Sequence, residues 1–346
     1  MLSDSLDRNL GLEIVRVTEA AALAAGRWMG KGAKEAADQA AVDAMRYALS
    51  SIEMDGVVVI GEGEKDEAPM LYIGETIGDG RPPRVDVAVD PIDGTRPLAK
   101  GLPNALAVVA VSERGTMYYP PHIMYMDKIA VGPAGKGRVH LDAEPAQNLA
   151  ALAVARDCDV SDLTVVVLER PRNEALIAAI RAAGARLKLI TDGDVAGALT
   201  AAMEDYTGVD MLMGIGGAPE AVLAAGALKC LGGEIQCRLW PRSDEEKQAA
   251  IAAGLPESEF SRVLMTDDLA GGENIFFAAT GITNGELLRG VQYTGHGART
   301  HSLSMRSRSG TTRWIEAVHH WERLMDSSAT TYDPRIWRDR TRAGKS

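Results

Sequence analysis

The sequence predicts an α/β fold, and three features of its hydrophobic pattern support that prediction. Two segments near the N-terminus, residues 11–29 and 35–52, have the periodicity of amphipathic helices. Short runs rich in valine and alanine in the first half have the pattern of strands. After about residue 150, apolar strand-like runs alternate with helical segments, which is typical of α/β units.

The second helical segment carries a continuous apolar face. Val42, Met45, Leu49 and Ile52 follow each other at spacings of three or four residues and form one stripe. One further step back along this stripe reaches Asp38. We therefore expect a carboxylate near the start of this helix, on its core-facing side.

Three strands are expected in the first half, at residues 57–60, 85–89 and 104–113. The first is followed by the acidic loop "GEGEKDEAP". In the second, "VDVAV" alternates with period two and then runs directly into "DPIDGT". We expect the second and third strands to be neighbours in one sheet.

The second half contains three strand–helix pairs. The strands "LTVVVLERPR", "ARLKLI" and "VDMLMGIGGAPE" precede the helices "NEALIAAIRAAG", "TDGDVAGALTAAME" and "AVLAAGALKCLGG". A charged stretch (241–262) and the hairpin-like "HSLSMRSRSGTTRWIEAV" follow. The change in composition predicts a domain boundary near residue 155, and the polar end from residue 328 onward is expected to be peripheral.

Composition limits the function classes. A net charge of −11 on 346 residues argues against a nucleic-acid partner held by phosphate contacts. With no run of 18 apolar residues and an acidic N-terminus, we expect neither a membrane span nor a secretory signal. The odd number of cysteines, three, fits the reducing cytoplasm. A protein this acidic needs local basic residues or metal ions to bind phosphates.

Acidic residues stand where the predicted strands end. Glu62 follows the first strand, and Asp90 and Asp93 follow the second. Mg²⁺ and Mn²⁺ prefer carboxylate and water oxygens, so these residues and Asp38 are candidate ligands. An isolated acidic loop is more often a solvated turn, and Asp38 alone also fits a helix-start acid. The "DPIDGT" segment favours a metal site, because Asp90, Asp93 and Thr95 supply two carboxylates and a hydroxyl within six residues.

The segment "GIGGAPE" (214–220) is a glycine-rich turn that leads into a helix. It fails the dinucleotide pattern because Pro219 stands where the third glycine should be. Its exposed N–H groups still suit an anion. Glu220 is either a further metal ligand or an ordinary glutamate of the first turn.

Arg170 and Arg172 flank Pro171 in one expected loop after a strand. Arginine binds phosphate in a bidentate manner, although two arginines in a generic loop more often form surface salt bridges. Asp192 and Asp194 are suited to accept hydrogen bonds from sugar hydroxyls. The alternative for them is a turn with a helix N-cap.

The histidines of the C-terminal third do not have the spacing of metal ligands. Adjacent histidines in a strand would point to opposite faces of the sheet. We predict structural roles for His296, His301, His319 and His320.

These motifs together resemble the lithium-sensitive, metal-dependent sugar- and inositol-phosphatase superfamily. Longer segments make the chain similar to the class II fructose-1,6-bisphosphatases: "WMGKG", "ADQAAVDAM", "VVIGEGEKDEAPMLYIGE", "VAVDPIDGTR", "MYMDKIAVGP", "ERPRN", "DGDVA", "GIGGAPE" and "ATGITNGELL". They occur in order from about residue 11 to about residue 320. The resemblance implies an α/β/α/β/α sandwich and hydrolysis of the C1 phosphate of fructose 1,6-bisphosphate in carbon metabolism (gluconeogenesis). It also implies Mn²⁺ or Mg²⁺ as cofactor, a cytoplasmic location and a homodimer or homotetramer.

The resemblance also implies roles for individual residues. The metal ligands would be Asp38, Glu62, Asp90, Asp93 and Glu220. Thr95 would position phosphate or water, with Asp38 or Glu62 taking the proton. The substrate would contact Lys34, Asp93, Gly94, Thr95, Tyr125, Arg170, Pro171, Arg172, Asp192, Gly193, Asp194 and Gly217. Some relatives carry glutamate at position 93, so aspartate here shortens the reach to a metal by one methylene.

The resemblance and the change in composition divide the chain into three segments. These are a metal-binding phosphatase half (1–155), a sugar-phosphate-binding half (156–327) and a peripheral tail (328–346). Three alternatives to a fructose-1,6-bisphosphatase stay open at this point. The first is a dual fructose-1,6-/sedoheptulose-1,7-bisphosphatase. The second is an inositol-type monophosphatase, which would not need the arginine pair. The third is a catalytically silent metal- or ligand-sensing relative. We expect neither a nucleic-acid nor a membrane partner.

Overall fold

A computed structural model describes residues 10–61 and 71–323 of the chain. Glu62 with most of its acidic loop, and the tail predicted at 328–346, lie outside the described residues. The helices are α1 (Leu10–Ala25), α2 (Lys34–Ser50), α3 (Thr95–Lys100), α4 (Pro145–Ala155), α5 (Glu174–Ala183), α6 (Asp194–Ala202), α7 (Glu204–Thr207), α8 (Ala218–Leu231), α9 (Asp244–Ala252) and α10 (Thr266–Leu269).

The strands make two sheets. Their bounds are β1 (Asp55–Ile60), β2 (Thr76–Ile77), β3 (Arg84–Asp93), β4 (Leu106–Glu113), β5 (Tyr125–Val131), β6 (Thr164–Leu168), β7 (Arg186–Ile190), β8 (Met211–Gly217), β9 (Glu234–Leu239), β10 (Leu264–Met265), β11 (Phe276–Gly281), β12 (Gln292–Tyr293), β13 (Gly297–Arg306) and β14 (Thr311–His320). The first sheet has the order β12-β13-β11-β4-β3-β1-β2, with β14 also paired to β13. The second has the order β10-β9-β5-β8-β6-β7. Both sheets contain parallel and antiparallel pairs.

The helices and sheets stack in five layers. Helices α1 and α2 pack on the outer face of the first sheet, and α6 and α8 lie between the two sheets. Helices α4 and α5 cover the outer face of the second sheet. Strand β4 shows the period-two pattern behind this arrangement: Val109 and Val111 pack toward α1 and α2, whereas Val108 and Ala110 pack toward α6 and α8. The α/β/α/β/α sandwich is confirmed.

The predicted elements are present with small changes at their ends. The first expected helix is α1 followed by a short 3₁₀ turn (Gly26–Trp28), and the second is α2, whose apolar stripe is buried. The three strand–helix pairs are β6–α5, β7–α6 and β8–α8, and the expected hairpin is β13–β14. Strand β3 is buried on both faces because helices cover the sheet on both sides. Asp86 is buried within it, and its carboxylate is compensated there by hydrogen bonds from the N–H groups of Gly115 and Thr116, at 2.8 and 2.9 Å.

The first sheet takes strands from both ends of the chain, since β11–β14 join it beside β4. A buried cluster that includes α6 and α8 contains residues from both sides of position 155, so the boundary drawn there remains a prediction. Across the described ranges, no helix has both the length and the apolar character needed to cross a bilayer.

Candidate active site

Strand β3 ends in an irregularity between Asp90 and Asp93. Asp90 pairs with Val108 of β4 and Asp93 pairs with Leu106, so β3 holds one more residue than its partner in this interval. Such bulges re-aim side chains at strand ends. The Asp90 carboxylate accepts a hydrogen bond from the Ile92 N–H at 2.9 Å, which holds the bent segment in place.

A tight turn follows and delivers Thr95 to Asp38. Gly94 has φ +100°, a conformation that glycine adopts without strain, and a Cβ there would lie 3.4 Å from the Cα of Ala105. The Thr95 hydroxyl donates to Oδ1 of Asp38 at 3.2 Å and lies 3.3 Å from the carbonyl oxygen of Ile92. Burial raises the pKa of Asp38. Two residues 57 positions apart thus meet at the end of β3.

Asp93 lies against the N-terminus of α6, a helix from the second half of the chain. Its side chain is 2% exposed, and it accepts hydrogen bonds from the N–H groups of Ala196, at 2.8 Å, and Val195, at 3.4 Å. Gly193, with φ +92°, is the N-cap residue and has no side chain to do this. The capping role considered for Asp192 or Asp194 is therefore filled by Asp93, which the sequence could not show because the contact spans about 100 residues.

Several carboxylates crowd this region. Burial raises the pKa of Asp93 well above its usual range, and the neighbouring Glu220, Asp194 and Asp192 raise it further. Burial also raises the pKa of Glu220, third residue of α8. Carboxylate oxygens are the ligands that a hard divalent cation prefers, and such an ion would offset this repulsion.

The predicted ligand set stays a prediction. In residues 10–61 and 71–323, no three Asp, Glu, His or Cys side chains come together in a way that could hold a metal ion. One of the five candidates, Glu62, lies outside these ranges. Asp38, Asp90, Asp93 and Glu220 lie within them.

A buried lysine beside the acids was missed by the sequence analysis. Lys128 in β5 is 2% exposed and donates to Oδ2 of Asp194 at 2.5 Å and to the carbonyl oxygen of Gly217 at 2.8 Å. Gly217 ends β8 and is the N-cap of α8, and a Cβ added there would lie 1.8 Å from Oε2 of Glu220. The available signal was a lysine inside the otherwise mostly apolar strand "MYMDKIAV".

Arg170 and Arg172 lie close to each other, and Arg172 faces the ring of Tyr125. The guanidinium carbon of Arg172 is 4.3 Å from the centre of the Tyr125 ring, and its Nε donates to the carbonyl oxygen of Ile215 at 3.0 Å. Arg170 donates to the carbonyl oxygens of Glu169 and Thr191. Both arginines are half-buried, and within the described part of the chain neither forms an ion pair with a carboxylate, so the salt-bridge alternative is wrong for these ranges.

The loop that carries Asp192 connects the acidic and basic sides. Oδ2 of Asp192 accepts a hydrogen bond from the main-chain N–H of Arg96 at 3.2 Å. Burial lowers the pKa of Arg170, and the nearby Arg96 and Arg172 lower it further. Asp194, also expected to contact sugar, is 6% exposed and pairs with Lys128.

The structure also shows the positions of Lys34 and of the histidines His301 and His319. Lys34 is the first residue of α2 and is exposed, close enough to Asp38 to lower its pKa in part. His301 accepts a hydrogen bond from the Arg289 N–H at 3.1 Å, and the ring of His319 lies 2.8 Å from the Thr300 hydroxyl. These two histidines have the structural contacts that the sequence predicted.

Comparison with known proteins matches residues 8–319 to the family model of the bacterial fructose-1,6-bisphosphatase, glpX-encoded. The chain is 47% identical to a D-fructose 1,6-bisphosphatase class 2/sedoheptulose 1,7-bisphosphatase of Synechococcus sp. (strain JA-3-3Ab), over 91% of this chain and 96% of the relative. It is also 47% identical to a fructose-1,6-bisphosphatase class 2 of Haemophilus influenzae, over 92% of this chain and 98% of that relative.

The chain therefore belongs to the glpX-encoded family of bacterial fructose-1,6-bisphosphatases, which makes it a phosphoric monoester hydrolase of the metal-dependent type. The resemblance carried by its motifs is confirmed.

Proposed function

We propose that the site at the end of β3 hydrolyses the C1 phosphate of fructose 1,6-bisphosphate and releases fructose 6-phosphate and inorganic phosphate. One observation carries the proposal: the Thr95–Asp38 pair and the two arginines, Arg170 and Arg172, which have no carboxylate partner among the described residues, lie on two sides of the loop that bears Asp192. A substrate with a phosphate at each end uses both sides at once.

The Thr95 side acts on the phosphate that leaves. Because the Thr95 hydroxyl donates to Asp38, its oxygen is free to accept a hydrogen bond from the attacking water. A proton lost from that water passes to Asp38 or to Glu62. The water oxygen forms a bond to phosphorus while the bond from phosphorus to the C1 oxygen of the sugar breaks, and the C1 oxygen takes up a proton to leave as a hydroxyl group.

Mn²⁺ or Mg²⁺ is the cofactor that we propose, held by Asp38, Glu62, Asp90, Asp93 and Glu220. When bound, a divalent cation neutralises phosphoryl oxygens and lowers the pKa of water. Burial and the neighbouring carboxylates raise the pKa of Asp93, which supports this assignment, because such a carboxylate is costly to keep ionised without a nearby cation.

The arginine side holds the phosphate that stays. Arg172 is oriented by its bond to Ile215 and by the ring of Tyr125, so its terminal nitrogens are available for bidentate contact. Arg170 adds a second positive charge. Asp192 and Asp194 accept hydrogen bonds from sugar hydroxyls between the two phosphates.

A second candidate substrate is sedoheptulose 1,7-bisphosphate, because the name of the Synechococcus relative includes that activity. It differs from fructose 1,6-bisphosphate by one carbon between the phosphates. We further propose a cytoplasmic homodimer or homotetramer, for which light scattering of the purified protein is the test.

Phosphate release from fructose 1,6-bisphosphate in the presence of Mn²⁺ or Mg²⁺ tests the proposal, with a chelator as control. We expect release with metal, loss of release with chelator and recovery when metal is returned. Sedoheptulose 1,7-bisphosphate and inositol 1-phosphate run in parallel measure the substrate range. Faster release from inositol 1-phosphate than from either bisphosphate would contradict the role of the arginine pair, and no release from any substrate would overturn the enzyme function.

A further inference from the structure

We propose that Lys128 is a positioning residue: its ammonium group holds the Asp194 carboxylate and the start of α8 in the arrangement that the sugar part of the substrate requires. This inference rests on the function proposed above. Asp194 begins α6, and Gly217 is the N-cap residue of α8. Lys128 forms hydrogen bonds to both, so one side chain connects the two helix starts that carry candidate site residues.

The position of Lys128 in the sheet is rigid. Strand β5 pairs with β8 on one side and with β9 on the other, with Lys128 opposite Gly214 and Cys237. Its neighbours at spacing two, Met126 and Ala130, pack into the cluster that contains α6 and α8. The Lys128 side chain therefore leaves the centre of the second sheet toward the two helices of the middle layer.

The Lys128 side chain, Asp194 and strand β8 are tightly packed against one another. A Cβ added at Gly216 would lie 1.8 Å from Oδ2 of Asp194 and 3.0 Å from Cε of Lys128. The chain thus keeps a glycine where Asp194 and Lys128 meet β8. A change in Lys128 would be transmitted to Asp194 and to the main chain of β8 together, because no free space separates them.

Stability alone is a poor explanation for this lysine. Burying an ion pair costs desolvation of both charges, and apolar residues of similar volume often stabilise a core as well or better. Among the described residues, Lys128 is the one lysine or arginine that is fully buried. The ammonium group is placed where four acidic side chains of the site, Asp93, Asp192, Asp194 and Glu220, influence one another.

A matched control exists elsewhere in the chain. Lys229, near the end of α8, donates to the carbonyl oxygen of Ala270 at 3.0 Å and pairs with the Asp267 carboxylate at 2.6 Å. It has the same kind of partners as Lys128, one main-chain carbonyl and one aspartate. Lys229→Met therefore measures the loss of such contacts away from the site.

The experiment compares Lys128→Met, Lys229→Met, Asp194→Asn and the double variant Lys128→Met/Asp194→Asn in the full-length protein. The readouts are KM and kcat for fructose 1,6-bisphosphate, the affinity for fructose 6-phosphate by titration calorimetry, and Tm. The product titration needs no turnover. We expect Lys128→Met to raise KM and to weaken fructose 6-phosphate binding by roughly ten- to hundredfold, the range for a hydrogen bond between charged groups, while kcat changes less. Lys229→Met lowers only Tm.

The double variant tests the mechanism. If Lys128 acts by holding Asp194, the double variant binds fructose 6-phosphate no more weakly than Asp194→Asn alone. The inference is overturned if the loss of fructose 6-phosphate affinity in the double variant equals the sum of the losses in the two single variants. It is also overturned if the fructose 6-phosphate affinity of Lys128→Met is within twofold of wild type. If Lys128→Met fails to fold, the double variant, in which both members of the ion pair are neutral, is compared with Asp194→Asn instead. Weaker fructose 6-phosphate binding by the double variant than by Asp194→Asn then overturns the inference. Failure of the proposed function is seen separately, as absence of phosphate release by the wild-type protein.

Discussion

The acidic side and the arginine side of the site treat charge in opposite ways. On the acidic side, Asp93 is buried at the start of α6, and Lys128 and main-chain N–H groups partly compensate the carboxylates there. On the other side, Arg170 and Arg172 are half-buried beside Tyr125 without a carboxylate partner in the described ranges. The acidic side suits a metal cation and the phosphate that is hydrolysed. The arginine side suits a phosphate that is bound but does not react. Substitutions on the two sides should therefore affect different kinetic constants.

The largest effect is expected for Thr95→Ala. Removal of the hydroxyl leaves Asp38 without its donor and the attacking water without one contact, so kcat should fall by about 10²–10⁴, the range for a positioned proton-transfer group. KM should change by less than about fivefold, because the arginine side is intact. Steady-state kinetics with fructose 1,6-bisphosphate measure both constants.

Thr95→Ser is the matched control, since it keeps a hydroxyl at the same position and should retain most of kcat. Equal losses in kcat and in substrate affinity for Thr95→Ala would place Thr95 in substrate binding and remove the distinction between the two sides.

Arg172→Met should mainly raise KM. The change removes a bidentate phosphate contact and the bond to Ile215, and we expect KM to rise by roughly ten- to hundredfold with kcat within a few fold of wild type. The preference for fructose 1,6-bisphosphate over fructose 1-phosphate, measured as the ratio of kcat/KM values, should shrink by a similar factor.

Arg16→Met serves as the control, because Arg16 is an exposed arginine paired with Glu13 on α1. A loss of kcat without a change in KM for Arg172→Met would indicate that the arginine side takes part in the reaction itself.

The smallest effect is expected for a buried carboxylate that belongs to neither side of the site. It shows how burial alone changes the pKa of a carboxylate and the stability of the protein. Burial raises the pKa of Glu19 to about 6 from 4.5, although the Thr300 hydroxyl donates to it at 3.0 Å. The folded state then binds the proton more tightly than the unfolded state, so Glu19 makes the protein less stable as pH rises from 4.5 to about 6. The expected loss is about 2 kcal/mol.

Urea denaturation of wild type and Glu19→Gln at pH 4.5, 5.5 and 7 measures this loss. Glutamine stays neutral, so the free energy of unfolding of the variant, relative to that of wild type, should increase as the pH rises. His319, whose pKa is lowered by burial, contributes with the opposite sign in the wild-type protein. A difference between the two proteins that stays constant with pH would show that Glu19 is ionised in a well-compensated site.

The sequence predicted the layers of the fold better than the contacts of the site. Periodicity placed α1, α2 and the strand–helix pairs because each is decided by neighbours within about ten residues. The meeting of Asp38 with Thr95 followed from the resemblance and not from spacing. The bond from the start of α6 to Asp93 and the pairing of Lys128 with Asp194 were missed, because both join residues of different layers and leave no local periodic signal.

The order of strands in the first sheet has a consequence for synthesis of the chain. Strand β4 ends at Glu113, but its neighbour β11 begins only at Phe276, about 160 residues later. At about 5–20 residues per second, a ribosome needs roughly 10–30 s to bridge that interval. Throughout it, the apolar strand "LAVVAVSE" has an open edge of the kind that other chains join. We expect the nascent chain to need protection during that time, and slowing translation across residues 114–275 should increase aggregation more than slowing it after residue 281.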